Sequence, residues 1–286
     1  MKIAILSKEQ DSYSTKRLLE EAQNLGLSLD VVDLRHVYLQ FSQSGHDLYY
    51  QSKIFPFYDV VIPRIGVSLT YTGMMVLSEL ESQGSKVMNT ATSIGLSRDK
   101  LKALQQLSWH QVPIPKTIFI GSKSDIQSSL SQLSPPYIIK ILEGTQGQGV
   151  MFAESMKSAE SIIQTLFHFK QPVLLQEFIK ESKGRDIRVF VINGKVLAAM
   201  RRTAAGDEFR SNVHMGASVE AVSLTDHQQA VAIAAAKTLG LSIAGVDLLE
   251  SKTPLVIEVN SSPGLQGIEQ ATQVNVAKEI LKASVL

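Results

Sequence analysis

The chain of 286 residues contains no cysteine. This absence excludes disulfide bonds, thiolate nucleophiles and zinc sites built on thiolates, and it is compatible with a reducing compartment. Any catalytic chemistry must therefore use oxygen and nitrogen groups.

Long apolar runs and an excess of one charge are also missing. The N-terminal MKIAILSKEQ is too short in apolar residues for a signal peptide, and no run of about 18 apolar residues occurs. The formal net charge is +1, which gives no general attraction to nucleic acid or anionic membrane. We therefore expect a cytoplasmic protein without membrane association or direct nucleic-acid binding.

The sequence does contain alternating strand and helix signals. Residues 1–90 predict strands at KIAIL, LDVVD, YDVVIP and KVMN, and a helix over STKRLLEEAQNLG. The next stretch begins with a helix, SRDKLKALQQLSWHQV, for which Ser97 is the expected N-cap, and strand pairs dominate from about residue 173. We expect an α/β (α+β) fold of three lobes, with boundaries at residues 1–95, 96–180 and 181–286.

A glycine-rich segment, EGTQGQG at 143–149, follows the apolar run YIIKIL and precedes another strand-like run, VMFAES. It lacks the Gly-Lys-Ser/Thr ending of a P-loop, and the absence of a following helix disfavours a dinucleotide fold. Lys140 interrupts the apolar run, so it either extends to solvent at an edge or meets a fixed anion. The loop and Lys140 together predict a phosphate site, and Lys100 is a weaker candidate that is equally compatible with a solvated helix position.

The segment GVDLLESKTPLVIEVN predicts a hairpin with acidic residues. If SKTP is the turn, Glu250 pairs with Leu255 and Asp247 lies directly opposite Glu258, with Asn260 on the same face. Opposed carboxylates repel each other, and a hard divalent cation such as Mg²⁺ would relieve the repulsion. The alternatives are a solvent-facing acidic strand or a carboxyl pair that shares a proton.

A second hairpin is predicted at VFVINGKVLAAM, where Asn193-Gly194 is a strong turn signal. Its regular register places Asp186 opposite Arg201 and Arg188 opposite Ala199. The polar segment RRTAAGDEFRSN follows it, and its arginines suit a reaction that builds negative charge on transferred oxygens. His214 either orients a substrate or is structural.

These motifs resemble, in their order, the ATP-grasp superfamily, and within it the RimK-type α-L-glutamate ligases. The similarity extends over nearly the whole chain, through MKIAILS, VIPRIG, RDKL, EGTQGQGV, QEFIKE, GRDIR, FRSN, AGVDLL and EVNSSPGL. The resemblance implies a three-lobed ATP-grasp fold with an N-terminal Rossmann-like pre-ATP-grasp lobe. It also implies that the glycine loop joins two antiparallel strands of a lid that closes over ATP.

The resemblance further implies roles for individual residues. Glu177 and Phe178 would meet the adenine, and Asp186 the ribose. The other expected ATP contacts are Lys100, Lys140, Gly144, Thr145, Gln146, Gly147, Gly149, Arg210, Ser211 and Asn212. Asp247, Glu258 and Asn260 would bind two Mg²⁺ ions, for which Mn²⁺ could substitute. Arg188, Arg202, Arg210 and the N–H of Gly264 would stabilise the reacting groups.

Two points stay open at this stage. The family pattern favours Arg202 rather than Arg201 beside Asp186, and a β-bulge would reconcile the pattern with the regular register. D-alanine ligases carry an arginine two residues before the metal-binding aspartate, whereas Gly245 stands here, so Arg188, Arg202 or Arg210 must replace it.

The expected reaction is ATP-dependent ligation of a carboxylate to an amine through an acyl phosphate, by a homo-oligomer. By resemblance, L-glutamate is added to the C-terminal carboxylate of a small-subunit ribosomal protein or of a poly-α-glutamate chain, and Arg64 either helps to hold the acceptor or forms a surface ion pair. The alternatives are an ATP-grasp ligase of the amino-group-carrier lysine-biosynthesis or glutathione type, and a non-catalytic ATP-binding regulator.

Overall fold

The N-terminal part of the chain forms a parallel sheet with the strand order β2-β1-β6-β7. The computed structural model describes residues 1–43, 45–142, 149–206 and 216–286. In this region the strands are β1 (Lys2–Leu6), β2 (Ser28–Val32), β3 (Val37–Ser42), β4 (Gly45–Tyr50), β5 (Lys53–Ile54), β6 (Val60–Pro63) and β7 (Lys86–Val87), and the helices are α1 (Tyr13–Asn24), α2 (Thr70–Ser82) and α3 (Ala91–Arg98). The strands β1 and β6 are almost entirely buried, as their apolar runs predict for a sheet covered on both faces.

Strands β3, β4 and β5 form a separate antiparallel sheet that the sequence analysis did not anticipate. Its core-facing side is supplied by few residues, among them the buried Leu48, whereas Phe41 is 72% exposed. Such a sheet gives a weak alternation signal, because most of its residues contact solvent on both faces.

The linking helix α4 spans Lys100–Trp109. Its N-cap is Asp99, whose carboxylate accepts hydrogen bonds from the backbone N–H groups of Leu101 and Lys102. The expected N-cap, Ser97, is wrong, because residue 97 lies inside α3. An aspartate is the better cap here since it can bind both free N–H groups at the helix start.

An antiparallel sheet with the order β10-β9-β11-β8 follows. Its elements are β8 (Thr117–Ile120), α5 (Ile126–Leu130), β9 (Tyr137–Ile141), β10 (Val150–Ala153), α6 (Met156–His168) and β11 (Val173–Glu177). One face packs against α5 and α6 through Tyr137 and Ile139, which are fully buried. The other face carries Lys140. The expected antiparallel pairing of the strands on either side of the glycine loop is present, since Lys140 pairs with Val150.

The C-terminal sheet has the order β14-β13-β12-β15-β16. Its elements are β12 (Arg185–Ile192), β13 (Lys195–Thr203), β14 (Ser218–Ala221), α7 (Asp226–Thr238), β15 (Ile243–Leu249), β16 (Leu255–Asn260), α8 (Gln266–Thr272) and α9 (Val276–Val285). One face packs against α7 through Ile187 and Val189. The opposite face buries Phe190 and Ile192 against the N-terminal sheet, α8 and α9.

Period-two alternation along β12 explains how this sheet carries both a core and a site. Asp186 and Arg188 share a face with Phe190 and Ile192, so the polar start of the strand continues directly into the apolar contact with the N-terminal lobe. The polar residues are thereby placed at the junction of the lobes.

Both predicted hairpins form, and each contains a register shift that the sequence analysis did not place. In the β12-β13 hairpin the shift between Phe190 and Val191 puts Asp186 opposite Arg202, so the expected pairing with Arg201 is wrong and the family pattern is right. The same shift places Met200, not Ala199, opposite Arg188. A one-residue bulge of this kind moves every later pair by one position.

In the β15-β16 hairpin the expected pairing of Asp247 with Glu258 is confirmed. A shift between Asp247 and Leu248 pairs Leu255 with Leu249, so the expected pairing of Leu255 with Glu250 is wrong. The turn residues thus do not set the register at Asp247 and Glu258, because the bulge lies between the turn and this acidic pair.

No helix within the described residues has the length and apolar character needed to span a membrane.

Candidate active site

Four charged side chains form a continuous network across three neighbouring strands. Arg202 Nε and Nη2 donate to the two carboxylate oxygens of Asp186 at 2.6 Å each. Arg188 binds both oxygens of Asp247 in the same forked way, at 2.7 Å each. Arg202 Nη2 also lies 2.9 Å from Asp247 Oδ2, so this arginine bridges the two aspartates.

Burial decides how these charges behave. Asp247 and Arg202 are 2% and 4% exposed. Burial by itself raises the pKa of the Asp247 carboxyl, but Arg188 and Arg202 outweigh it and hold the pKa below its ordinary value. Burial likewise disfavours the charge of Arg202, but Asp247 and Asp186 raise its pKa above the ordinary value. Asp247 and Arg202 are therefore both charged at neutral pH.

Glu258 lies directly beside Asp247 but has no cation of its own among the described residues. Burial and then the charge of Asp247 raise the pKa of Glu258, and the nearby Arg188, Lys140 and Lys100 oppose this only in part. Solvent reaches the Glu258 side chain although protein atoms surround it on most sides, as expected for a group on the floor of an open cleft. This carboxylate is the one that still needs a positive partner from outside the described residues.

Lys140 enters the same cleft from the central sheet. It lies in β9 between Val150 and Leu174, and no described residue accepts a hydrogen bond from it. Burial lowers its pKa from 10.5 to about 8, with a further small decrease from Lys100, while Glu258 opposes the change. A half-buried ammonium with no internal acceptor is suited to an external anion.

Lys100 ties the start of α4 to the end of β9. Its Nζ donates to the carbonyl oxygens of Ile141 and Leu142 at 3.2 and 3.0 Å. Burial lowers the pKa of Lys100 and Glu258 raises it, which places both lysines within electrostatic reach of the same carboxylate. The structure thus brings Lys100, Lys140 and Glu258 together.

Glycine is required where β10 begins. Gly149 has a φ of 77°, and a Cβ atom there would lie 2.3 Å from Ile141 Cγ1. The segment 143–148 outside the described residues contains four of the expected ATP contacts: Gly144, Thr145, Gln146 and Gly147. Their roles stay predictions.

Gly245 is needed for a different reason. A Cβ atom at this position would lie 2.7 Å from Pro263 Cβ and 3.7 Å from Arg188 Cδ. The absence of a side chain at Gly245 lets the loop after β16 and the stem of Arg188 pack here. Arg188, Arg202 and Arg210 are the candidates to replace the arginine that D-alanine ligases carry at the position of Gly245. Of these three, Arg188 packs beside Gly245 and binds Asp247.

The loop Ser261–Leu265, which we call the SSPG loop, is held by the N-terminal lobe. Arg64 Nη2 donates to Pro263 O at 2.7 Å, and the buried Asn89 donates to Ser261 O at 2.9 Å and to Ile243 O at 2.8 Å. Sequence reasoning missed Asn89, although its position two residues after the end of β7 in a parallel sheet marks the edge where such sheets place functional side chains. Gly264 is exposed, and its N–H donates to no other described residue.

At the other end of the cleft, Phe178 packs edge-to-face on Phe152, with ring centroids 5.1 Å apart. Glu177 accepts a hydrogen bond from the backbone N–H of Lys116 at 2.6 Å, so its carboxylate ties two segments together. Arg210, Ser211, Asn212 and His214 lie outside the described residues. Arg201 binds Glu250 and Glu220 away from the aspartate network.

Within the described residues no group of three or more acidic, histidine or cysteine side chains could by itself hold a metal ion. The donor set around Glu258 nevertheless fits Mg²⁺, because Glu258 has no described cationic partner at bonding distance and Asn260 keeps its carbonyl oxygen free while its Nδ2 donates to Gly245 O at 3.4 Å. Asp247 already accepts hydrogen bonds from two arginines, so it is the least available of the three predicted ligands.

An open groove of about 520 Å³ lies elsewhere, at the carboxyl ends of β1 and β2. Lys8, Asp33 and Arg35 are among the residues that line it, and no predicted site residue does.

Two models of known protein domains match this chain. A model of the RimK-like ATP-grasp domain matches residues 97–284, and one of the RimK PreATP-grasp domain matches residues 1–94. The chain belongs to the RimK-like ATP-grasp family. It is an ATP-dependent ligase, as the ordered motifs predicted.

Relatives of this RimK-like chain are similar over nearly its full length. A probable alpha-L-glutamate ligase of Rhodopirellula baltica is 49% identical over 98% of this chain and 70% of the relative. Another from Aeromonas salmonicida is 45% identical over 99% of this chain and 95% of the relative. The fold is shared with the ATP-grasp ligase PsnB, whose structure was solved with a phosphomimetic variant of its minimal precursor, Mg and ADP. The TM-score is 0.77 and the sequence identity is 20%, over 100% of this chain and 98% of PsnB.

Proposed function

We propose that this RimK-like ligase joins the amine of L-glutamate to the C-terminal carboxylate of a small-subunit ribosomal protein or of a growing poly-α-glutamate chain. Relatives with 45% and 49% identity are named probable alpha-L-glutamate ligases, which supports glutamate as the amino acid. The acceptor is proposed from the resemblance of the motifs alone. We also propose a homo-oligomer, and lobes that meet near residues 95 and 180.

The nucleotide end of the proposed reaction lies at the central sheet. Lys140 and Lys100 carry the positive charge that the phosphates of ATP require, and Lys140 has no competing acceptor among the described residues. Phe152 and Phe178 provide an apolar contact for the adenine. The proposal keeps the expected loop contacts at 144–147 and the expected contacts Arg210, Ser211 and Asn212.

Two Mg²⁺ ions would screen the charge of the transferred phosphoryl group. Glu258 and Asn260 would hold them, with Asp247 behind Glu258. Arg188 and Arg202 keep Asp247 ionised and fixed in one orientation, so the cleft presents a rigid acidic wall.

In the first step an oxygen of the acceptor carboxylate attacks the γ-phosphorus, and the bond to the ADP oxygen breaks, giving an acyl phosphate. The glutamate nitrogen then attacks the acyl carbon, the bond to phosphate breaks, and the nitrogen loses a proton to phosphate or solvent. The Gly264 N–H and the expected donor Arg210 would stabilise the oxyanion, a contribution on the order of 10² to 10³ in rate per donor.

One observation carries the proposal. Glu258, the carboxylate without a described cationic partner at bonding distance, faces two lysines across one cleft, and the lysines come from different elements than the acid. In a purely structural ion pair, Glu258 and a lysine would be expected to lie within hydrogen-bonding distance. The observed arrangement instead leaves room for a charged ligand between Glu258 and the two lysines.

The test is incubation of the protein with ATP, Mg²⁺ and each amino acid in turn, with and without peptides that end in the candidate acceptor sequences. We expect ADP release that depends on glutamate, and products that mass spectrometry shows extended by glutamyl residues. Turnover with another amino acid would reject the glutamate assignment. Binding of ATP without turnover on any acceptor would favour the regulator instead.

A further inference from the structure

The N-terminal sheet brings a second cationic group to the reaction cleft. In its order β2-β1-β6-β7, the chain leaves β1 toward β2 and later returns on the other side of β1 with β6. The switch point therefore lies between the carboxyl ends of β1 and β6, which is where open parallel sheets bind ligands. Arg64 is the first residue after β6, and its N–H donates to Leu6 O at the end of β1.

Arg64 differs in its surroundings from the other arginines of the described chain that are at least half-buried. Its guanidinium has one described acceptor, Pro263 O at 2.7 Å, and no described carboxylate within ion-pair distance. A guanidinium has five N–H donors, so most of the donors of Arg64 have no acceptor among the described residues. Arg98, which also lacks a carboxylate, is instead satisfied by Ile65 O, Gly66 O and Thr70 Oγ1.

The environment makes this unpaired charge costly. Arg64 is half-buried, and burial lowers its pKa to about 10 with no acidic group to offset the effect. In the SSPG loop beside it, the buried Ser261 Oγ has no hydrogen-bond partner within the described part of the chain. A site with unmet polar groups of this kind is expected to be completed by a ligand.

Pro263 connects this position to the reacting groups. Its carbonyl binds Arg64, while its ring packs on Gly245 beside the stem of Arg188, which holds Asp247. The path from Arg64 to Asp247 thus runs through Pro263 and the stem of Arg188. Arg64 belongs to the N-terminal lobe and contacts the SSPG loop from there. The two lysines proposed to bind phosphate, Lys100 and Lys140, belong to α4 and the central sheet.

The chemistry of the reaction favours one of the anions that the cleft would bind. The acceptor carboxylate loses its charge when it becomes an acyl phosphate, and the phosphates of ATP are served by the lysines. Both carboxylates of the incoming glutamate stay charged from binding to product. We propose that Arg64 binds a carboxylate of the incoming L-glutamate and so positions its amine over the SSPG loop.

This inference rests on the proposed glutamate ligation, and the same kinetic experiment separates the two. Arg64→Gln retains a donor for Pro263 O but removes the charge. We expect its KM for glutamate to rise roughly 10- to 100-fold, as for loss of a charged hydrogen bond, with the KM for ATP changed less than about twofold.

The matched control is Ser14→Ala, because Ser14 Oγ accepts a hydrogen bond from Leu265 N in the same loop but carries no charge. If Arg64 only fastens the loop, both variants will lower the melting temperature and kcat alike and leave the KM for glutamate unchanged. That result would overturn the inference while the proposed function stands. A wild-type protein that does not turn over glutamate would overturn both.

Substrate analogues identify which carboxylate is bound. Glutamine lacks the γ-carboxylate, and the α-amide of glutamate lacks the α-carboxylate. The analogue without the bound group should react equally poorly with wild type and Arg64→Gln, whereas the other analogue should still respond to the substitution. If both analogues respond to the substitution as strongly as glutamate does, Arg64 binds neither carboxylate and the inference fails.

Discussion

Replacement of Lys140 by methionine tests two effects of its buried charge. One is the free energy that the charge costs the ligand-free fold, and the other is its contribution to ATP binding. Burial lowers the pKa of this lysine from 10.5 to about 8. Each pH unit corresponds to about 1.4 kcal/mol, so a charged Lys140 costs the ligand-free fold at most ~3.5 kcal/mol at pH 7. Because solvent still reaches the side chain, we expect half of this or less to appear, about 1–2 kcal/mol. Methionine has similar length and no charge, so Lys140→Met should raise the melting temperature of the ligand-free protein by about 2–6 °C.

The same substitution should weaken nucleotide binding. If Lys140 binds a phosphate, its loss removes a charge-assisted hydrogen bond, and the Kd for ATP should rise roughly 10- to 100-fold. Calorimetric titration measures the Kd, and thermal unfolding with and without ATP and Mg²⁺ shows the corresponding loss of ligand-induced stabilisation. The variant would thus be more stable than wild type without ligand and less stabilised by it.

The pH dependence provides an independent check. The pKa of Lys140 is lower in the folded than in the unfolded chain, so the cost of its charge is fully present below about pH 8 and disappears as the pH rises toward 10.5. The difference in melting temperature between the variant and wild type should therefore be largest near pH 7 and shrink at higher pH.

Lys157→Met is the matched control, because Lys157 is an exposed lysine on α6 of the same lobe. It should change neither the stability nor the ATP affinity. The reasoning is refuted if Lys140→Met lowers the melting temperature and binds ATP within twofold of wild type, since Lys140 would then be a structural group.

Three further variants test the acidic side of the cleft. Glu258→Gln should abolish ligation in the ADP-release assay. It should not lower the stability, because Glu258 has no described hydrogen-bond partner and is repelled by Asp247 on β15. Near-normal turnover would reject the metal role of Glu258. Arg202→Met should destabilise the fold by about 3–5 kcal/mol in urea titrations, since it removes the forked hydrogen bonds to the buried Asp186 and one of the two arginines that bind Asp247, whereas the adjacent Arg201→Met should cost about 1 kcal/mol or less; equal effects would contradict the assignment of the buried network. Gly245→Ala should lower kcat by displacing the SSPG loop. Its control, Gly66→Ala, has open space around the added Cβ and should leave kcat unchanged in the same assay. An unchanged kcat for Gly245→Ala would show that the position of the SSPG loop does not affect turnover.

Some of the site was predictable because its signals are local. The turn Asn193-Gly194 and the apolar runs beside it predict a hairpin from a few adjacent residues, and the acidic strand pair shows the same pattern. The predicted pairing of Asp247 with Glu258 is confirmed, although the turn register used to predict it is wrong. The antiparallel strands around the glycine loop also followed from the sequence pattern and the resemblance.

The bulges were not predictable in the same way. Neither extra residue, one in each hairpin, has a signature such as glycine at the bulge, and each is fixed by the packing of two different sheet faces. The choice between Arg201 and Arg202 depended on one of them. The motif pattern favoured the correct arginine, whereas regular spacing favoured the wrong one.

The sequence by itself determined which chemical groups this protein has available: no thiols, a lysine in an apolar strand before a glycine loop, and paired acids ending in an SSPG turn. Tertiary structure alone decided which charges neutralise one another. Arg188 meets Asp247 because β12 and β15 are neighbours in the sheet although 59 positions separate the two residues, and Arg64 reaches Pro263 across 199. Hydrophobic packing of strands against helices sets such long-range neighbours, and no local spacing encodes them.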